Sequence, residues 1–148
     1  MRGYAVIGLY APKTDANVGG VLRAAACYNA ALVAIEGRRY KRQYTDTTAA
    51  HRHIPLQHGG LDVLIPFDCV PVCIELCEGA VSLVDYKHPE RAFYIFGPED
   101  GSVPLEIQNR CRDKVYVPTS RCMNLAATVN VVLYDRKSKQ KDSPNAKP

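Results

Sequence analysis

Three short segments hold residues whose types and spacing suit chemistry. The first is Asn17-Val18-Gly19-Gly20-Val21-Leu22-Arg23. Glycines at a helix start let a ligand approach the backbone and leave free N–H groups facing an anion. Arg23 adds a permanent cation a few residues on. The second segment, Phe96-Gly97-Pro98-Glu99-Asp100-Gly101-Ser102-Val103-Pro104, has two glycines, two prolines and an acidic pair, which make a sharply shaped loop. A plain strand-to-helix turn capped by Asp100 or Ser102 reads equally well from these residues alone. The third is Val115 to Ala127, where a strand stops at Pro118, a polar loop follows, and a helix of small residues begins near Asn124. The second segment lacks the spacing Gly-x-Gly-x-x-Gly, and no Gly-Lys-Ser/Thr occurs anywhere, which excludes a P-loop.

The elements that must position these segments follow from hydrophobic pattern. Tyr4 to Tyr10 is an apolar, β-branched first strand, followed by a loop over residues 11–16. Asp15 or Asn17 is expected to cap a helix with Val18, Val21, Leu22, Ala25 and Ala26 on one face, and Leu32 to Ile35 is a second strand. Strand, helix, strand is a βαβ unit, so a parallel sheet with helices on both faces is expected. Further strands are expected at Val70–Leu76, Ala92–Phe96 and Lys114–Val117, with a loop over Cys77–Arg91. Helices are expected from Pro104 to about Cys111 and from Met123 to Lys137. The irregular stretch from Arg38 to His58 mixes Arg38, Arg39, Lys41, Arg42 and Arg52 with Tyr40 and Tyr44. That composition suits a loop that grips phosphate and stacks on a base, and equally an exposed loop without a role. Residues 138–148 are almost without apolar side chains and are expected to be a disordered basic tail beyond a single domain over 1–137.

Composition permits much and excludes a little. The chain has 148 residues, the length of one domain, and 47% hydrophobic with 23% charged residues is ordinary for a globular protein. No apolar run approaches the ~18 to 20 residues of a membrane span, and the apolar part of residues 1–10 is too short for a signal peptide. A soluble, cytoplasmic protein is expected. Net charge is +5 over residues 1–60, −6 over 61–113 and +5 over 114–148, which gives the overall +4. Two basic ends are compatible with a phosphate-rich partner, and also with a merely solvated surface. None of the six cysteines forms Cys-x-x-Cys, so they read as small core residues in a reducing compartment. His51, His53, His58 and His88 lack neighbouring ligands at a useful spacing and read as loop or surface residues, so no metal is expected.

Taken in order, Asn17-x-Gly19-x-x-x-Arg23, the mid-chain Phe96-Gly97-Pro98-Glu99 loop, and the late Pro118…Ser120-x-x-Met123-Asn124-Leu125 resemble the three motifs of the SpoU/TrmH branch of the SPOUT methyltransferases. The resemblance runs from about Tyr4 to Asp135 and fits the minimal members, such as the tRNA wobble-nucleotide 2′-O-methyltransferases. It implies an α/β knot, with a deep trefoil over roughly residues 70–137, and S-adenosylmethionine bound in bent form among three loops. Carried over residue by residue, it places the cofactor against Glu75, Leu76, Gly97, Pro98, Val117, Cys122, Met123 and Leu125. It makes Arg23 the catalytic arginine, Asn17 its partner, and Glu99 the residue that shapes the loop or orients Asn17. It implies RNA as substrate, tRNA ahead of rRNA, methylated on a ribose 2′-hydroxyl. Arg38, Arg39, Arg42 and Arg121 are the matching RNA-binding candidates, and the implied assembly is a homodimer. The resemblance departs at Cys122, where the family usually has serine, in a shortened Pro118–Met123 segment, and at Ser102, where a glycine is usual. Loss of the serine hydroxyl would weaken cofactor binding or shift its role to Ser120. A catalytically silent RNA-binding relative is the alternative. An unrelated Rossmann-like enzyme would need a ribose-binding acid about twenty residues past a glycine fingerprint, and none is present.

Overall fold

The computed structural model describes residues 3–41 and 53–141. Seven strands form one parallel sheet: β1 (Tyr4–Tyr10), β2 (Leu32–Glu36), β3 (Leu56–His58), β4 (Val70–Ile74), β5 (Val81–Ser82), β6 (Arg91–Phe96) and β7 (Asp113–Tyr116). Their order is β3-β2-β1-β6-β4-β7-β5. β1 therefore pairs with β2 on one side and β6 on the other, with Ile7 opposite both Val33 and Tyr94. The chain first builds outward from β1 through β2 to β3, then fills the other half, so β1 and β6 flank a reversal in strand order. In open α/β sheets the carboxyl ends of strands at such a point gather the ligand-binding loops. Here they bring together the loops after β1, β4, β6 and β7.

The helices are α1 (Asp15–Cys27), α2 (Leu61–Leu64), α3 (Leu105–Arg110) and α4 (Leu125–Lys141). Alternation along the strands sorts the core into two layers. Ala5, Ile7 and Leu9 face α1 and α4, whose buried stripes include Val18, Val21, Leu22 and Ala25, and Leu125, Val129, Val132 and Leu133. Val6, Phe93 and Ile95 face Leu61 of α2 and Ile107 of α3. The helices thus cover both faces. α1 and α4 approach closely at Gly20, where an added Cβ would stand 2.8 Å from the Ala126 Cβ. Glycine here is a packing requirement that sets how near the two helix starts can come.

Several expected boundaries move. Thr14, not Asp15 or Asn17, caps α1: it is extended (φ −123°, ψ 142°) and its hydroxyl accepts the Asn17 N–H at 3.3 Å. That leaves the Asn17 side chain available for other partners. β4 ends at Ile74, so Glu75 and Leu76 lie in the following loop, and Leu76 is 78% exposed. The segment expected as a loop over Cys77–Arg91 contains β5 and a 3₁₀ turn at Leu83–Asp85. β3 lies inside the irregular 38–58 stretch, whose residues 42–52, with Arg42, Tyr44, His51 and Arg52, are outside the described residues. α4 runs to Lys141, four residues into the stretch expected as tail, and residues 142–148 lie outside the described residues.

The far half of α4 explains its extra length. Arg136 is buried and donates to the carbonyls of Pro89 (2.6 Å) and Glu90 (2.5 Å) and to the Tyr94 hydroxyl (3.2 Å). Lys139 donates to the Leu83 and Tyr86 carbonyls and pairs with Asp135. His88, read from sequence as a loop or surface residue, does lie in a loop, but its ring is buried between the Tyr94 hydroxyl (2.6 Å) and Asp135 (2.8 Å). Polar side chains thus satisfy the carbonyls of residues 83–90 that a helix packed on a loop would otherwise desolvate. The cysteines divide: Cys69, Cys73 and Cys111 are buried, Cys77 is half-buried, while Cys27 and Cys122 are exposed, which corrects the uniform core reading. All six are free thiols. No described helix is long and apolar enough to cross a membrane.

Candidate functional site

A cleft of about 520 Å³ opens where the loops after β4, β6 and β7 meet the start of α4. Glu75 and Leu76 come from the first loop, Gly97 and Pro98 from the second, Val117, Cys122 and Met123 from the third, and Leu125 from α4. These are all eight cofactor candidates, brought into one wall from segments up to fifty residues apart. Ser120, named above as the residue to which the missing serine's role would shift, also lines the cleft, as do Tyr116, Thr119 and Thr128, which were not singled out. Their signal was positional: Tyr116 and Thr119 flank Pro118 in a segment already marked, and Thr128 stands one helical turn past Asn124.

The loop after β6 owes its shape to close packing and to borrowed carboxylates. A Cβ on Gly97 would lie 2.8 Å from the Val103 nitrogen, so the loop folds back onto its own glycine. The same Val103 N–H donates to Glu75 Oε2 at 3.1 Å, bracing the β6 loop against the β4 loop. Glu75 thus gives one carboxylate oxygen to the protein backbone while it lines the cleft. Apolar Leu76 is exposed at the rim, and few free charges face the interior. Size, apolar rim and backbone-built loops suit a small organic ligand with a flat face, within the ~300 to 1,000 Å³ usual for such sites.

Beside the cleft, three side chains from three motifs form one chain of hydrogen bonds. Asn124 Nδ2 donates to Asn17 Oδ1 (3.0 Å), and Asn17 Nδ2 donates to Glu99 Oε1 (2.9 Å). The Lys13 N–H donates to Glu99 Oε2 at 2.8 Å. Asn124 also accepts the Ala127 N–H through Oδ1 at 3.2 Å, capping α4 while it reaches Asn17. Partial burial pushes the Glu99 carboxyl up, but backbone N–H donors, its own and that of Lys13, with the Asn17 amide, outweigh this and hold it below the usual carboxylate range. Glu99 is therefore an acceptor-only anion, and its Oε1 fixes which way the Asn17 amide faces while Oε2 is held by the Lys13 N–H. Asn124 was in the motif but not among the predicted site residues; its partnership with Asn17 spans 107 positions and has no local signature.

Arg23 is set apart. It is exposed on α1, outside the cleft, and makes no hydrogen bond or ion pair with a described residue. A guanidinium without a protein partner, six residues along α1 from Asn17, can receive an anion from solution. The other arginines differ. Arg121 is exposed on the cleft rim, and Arg38 lies over the Tyr40 ring at 5.6 Å. Arg39 is committed to Asp100 through two hydrogen bonds, so the structure does not leave its guanidinium open to a phosphate. Arg42 is outside the described residues. Among the described residues no group of three or more His, Cys, Asp or Glu side chains is placed to hold a metal ion.

Residues 4–134 match the SpoU rRNA Methylase family, which covers most of the chain. No curated protein is a significant match. Among solved structures, one described as giving structural insights into the 2-OH methylation of C/U34 on tRNA superposes with a TM-score of 0.81 at 21% identity, over 95% of this chain and 99% of that one. An AdoMet-bound rRNA methyltransferase from Sinorhizobium meliloti gives 0.80 at 17%, over 94% of this chain and 57% of its own. A TrmH/SpoU tRNA modifying enzyme from A. aeolicus gives 0.81 at 14%, over 96% and 77%. This chain thus spans nearly all of the first and little more than half of the second. At these identities the likeness establishes the fold, and the family match adds the rest: the chain belongs to the SpoU rRNA methylase family, a family of RNA methyltransferases.

Proposed function

We propose that the chain transfers a methyl group from S-adenosylmethionine to a ribose 2′-hydroxyl of RNA, with tRNA as the preferred substrate class. The observation that carries this reading is the coincidence of the 520 Å³ cleft with the Asn124–Asn17–Glu99 chain at its edge, with an unpaired Arg23 six residues along α1 from Asn17. The bound cofactor supplies an electrophilic methyl on a sulfonium. Leu76, Met123 and Leu125 offer apolar surface to its adenine, and the loops of Gly97 and Val117 offer backbone groups.

A ribose hydroxyl is a poor nucleophile near neutral pH, and a guanidinium, charged at any working pH, is a poor free base. Arg23 instead grips the phosphate beside the target ribose and draws the hydroxyl into line, which is positioning with electrostatic help, and the proton that the hydroxyl loses on methylation passes to solvent water. Glu99 and Asn124 hold the Asn17 amide in one orientation, so the loop after β6 and the start of α1 keep a fixed relation during the approach. Arg38 and Arg121 add phosphate contacts. The exposed apolar Val131 and Tyr134 on α4 support a second copy of the chain packing there as a homodimer. A trefoil knot over roughly residues 70–137 is part of the same reading.

Arg23→Ala provides the test. Methyl transfer to bulk tRNA should fall by about a hundredfold or more, the scale of losing a transition-state contact, while S-adenosylmethionine binding by calorimetry stays near wild type. Loss of cofactor binding in that variant would contradict the role given to Arg23. A wild-type chain that binds tRNA but transfers nothing would instead be a silent relative.

A further inference from the structure

The loops after β1, β2 and β6 are laced together by one guanidinium. Arg39 Nε donates to the Ala11 carbonyl (3.0 Å), Nη1 to Asp100 Oδ2 (3.1 Å) and Nη2 to Asp100 Oδ1 (2.5 Å). The Arg39 backbone N–H also donates to the Pro12 carbonyl at 3.2 Å, and the Ala11 N–H donates to the Glu36 carbonyl at 2.7 Å. Ala11 sits at φ 48°, a left-handed conformation rare for a residue with a Cβ. That bend is held on both sides by these bonds. Lys13 Nζ approaches the same Asp100 at 3.8 Å. Glu99 and Asp100, adjacent in the β6 loop, are thus tied separately, Glu99 to Asn17 and the Lys13 backbone, Asp100 to Arg39 and Lys13.

We propose that Arg39 and Asp100 form a clasp that positions the Gly97–Val103 loop for cofactor binding, making Arg39 a positioning residue rather than an RNA contact. The inference rests on the cofactor reading given above and adds two residues to it. The loop being clasped carries Gly97 and Pro98, part of the cleft wall, and Glu99, which orients Asn17. A bidentate fork fixes both distance and angle, which a single lysine ammonium does not. Three of the five N–H donors of Arg39 are engaged and its charge is paired with Asp100, which leaves a weaker site for phosphate. Both partners are half-exposed, so the pair is screened and its effect is graded.

The test is a calorimetric titration of S-adenosylmethionine into the wild-type chain, Arg39→Gln, Asp100→Asn and the double variant, with bulk tRNA binding measured in parallel. Either single change should raise the cofactor Kd about threefold, the reach of a well-formed exposed ion pair. The double should be no worse than either single, and Arg39→Lys should fall between wild type and Arg39→Gln. tRNA affinity of Asp100→Asn and Arg39→Gln should remain equal. An unchanged cofactor Kd in Asp100→Asn would overturn the clasp. So would weaker tRNA binding in Arg39→Gln alone, since that marks a phosphate contact. A wild-type chain that binds no S-adenosylmethionine fails the cofactor reading itself, and the clasp falls with it.

Discussion

At the scale of single residues, the site depends on side chains whose partners are remote in sequence. Asn17, Gly97, Glu99 and Met123 were legible because motif order and residue type marked them. Asn124 as the partner of Asn17, Thr14 as the α1 cap and Arg39 as the partner of Asp100 were not. Each relation forms only when loops from different strands meet, and Asn17 could equally have capped its own helix until Thr14 took that role. Cys122, where the family resemblance calls for a serine, is exposed on the cleft wall. Gly97 is the sharpest single-residue requirement. Gly97→Ala would force its methyl to within 2.8 Å of the Val103 backbone nitrogen, which cannot rotate away as a side chain would. The S-adenosylmethionine Kd should rise at least about tenfold, roughly 1.4 kcal/mol, with circular dichroism unchanged. Calorimetry checks both parts, and wild-type affinity would show that the loop relaxes freely.

At the scale of elements, long apolar runs gave reliable strands at β1, β2, β4 and β6, while β3 and β5, three and two residues long, are too short to show any periodicity. The end of α4 was hidden for a different reason. Arg136 and Lys139 resemble solvent-facing tail residues by type, yet both reach the carbonyls of residues 83–90, a use invisible without the docking loop. His88 belongs to this contact. Burial pushes its imidazole below the ordinary histidine value, with Asp135 opposing and Arg136 and Lys139 reinforcing the fall. Arg136 donates to the Tyr94 hydroxyl, whose own proton can then go to His88 Nδ1, while Nε2–H faces Asp135. The folded chain therefore holds His88 neutral where the unfolded chain takes up a proton. Its contribution is complete above the unfolded value of about 6.5 and is lost as pH falls through the lowered folded value. The urea midpoint should decline between pH 7.5 and 5.5, and His88→Gln should lower the midpoint at pH 7.5 and flatten that decline. An unchanged slope in the variant would assign the pH dependence to other groups.

At the scale of the molecule, the two-layered core and the reversal in strand order between β1 and β6 explain why one edge carries the chemistry. The βαβ start announced a parallel sheet. The order β3-β2-β1-β6-β4-β7-β5 did not follow from it, because which later strand joins β1 depends on pairings across more than eighty residues. That order places the β6 loop beside the α1 start, and so allows Glu99 to meet Asn17. The central claim is methylation of a ribose oxygen, and its most direct measurement follows the methyl. The purified chain is incubated with unmodified tRNA and S-adenosylmethionine carrying a labelled methyl, and the RNA is digested to nucleosides for mass spectrometry. The account predicts label on the ribose of one or a few nucleosides as 2′-O-methyl groups, absent with Arg23→Ala. Label on a base, or none in RNA while the cofactor still binds, would contradict it.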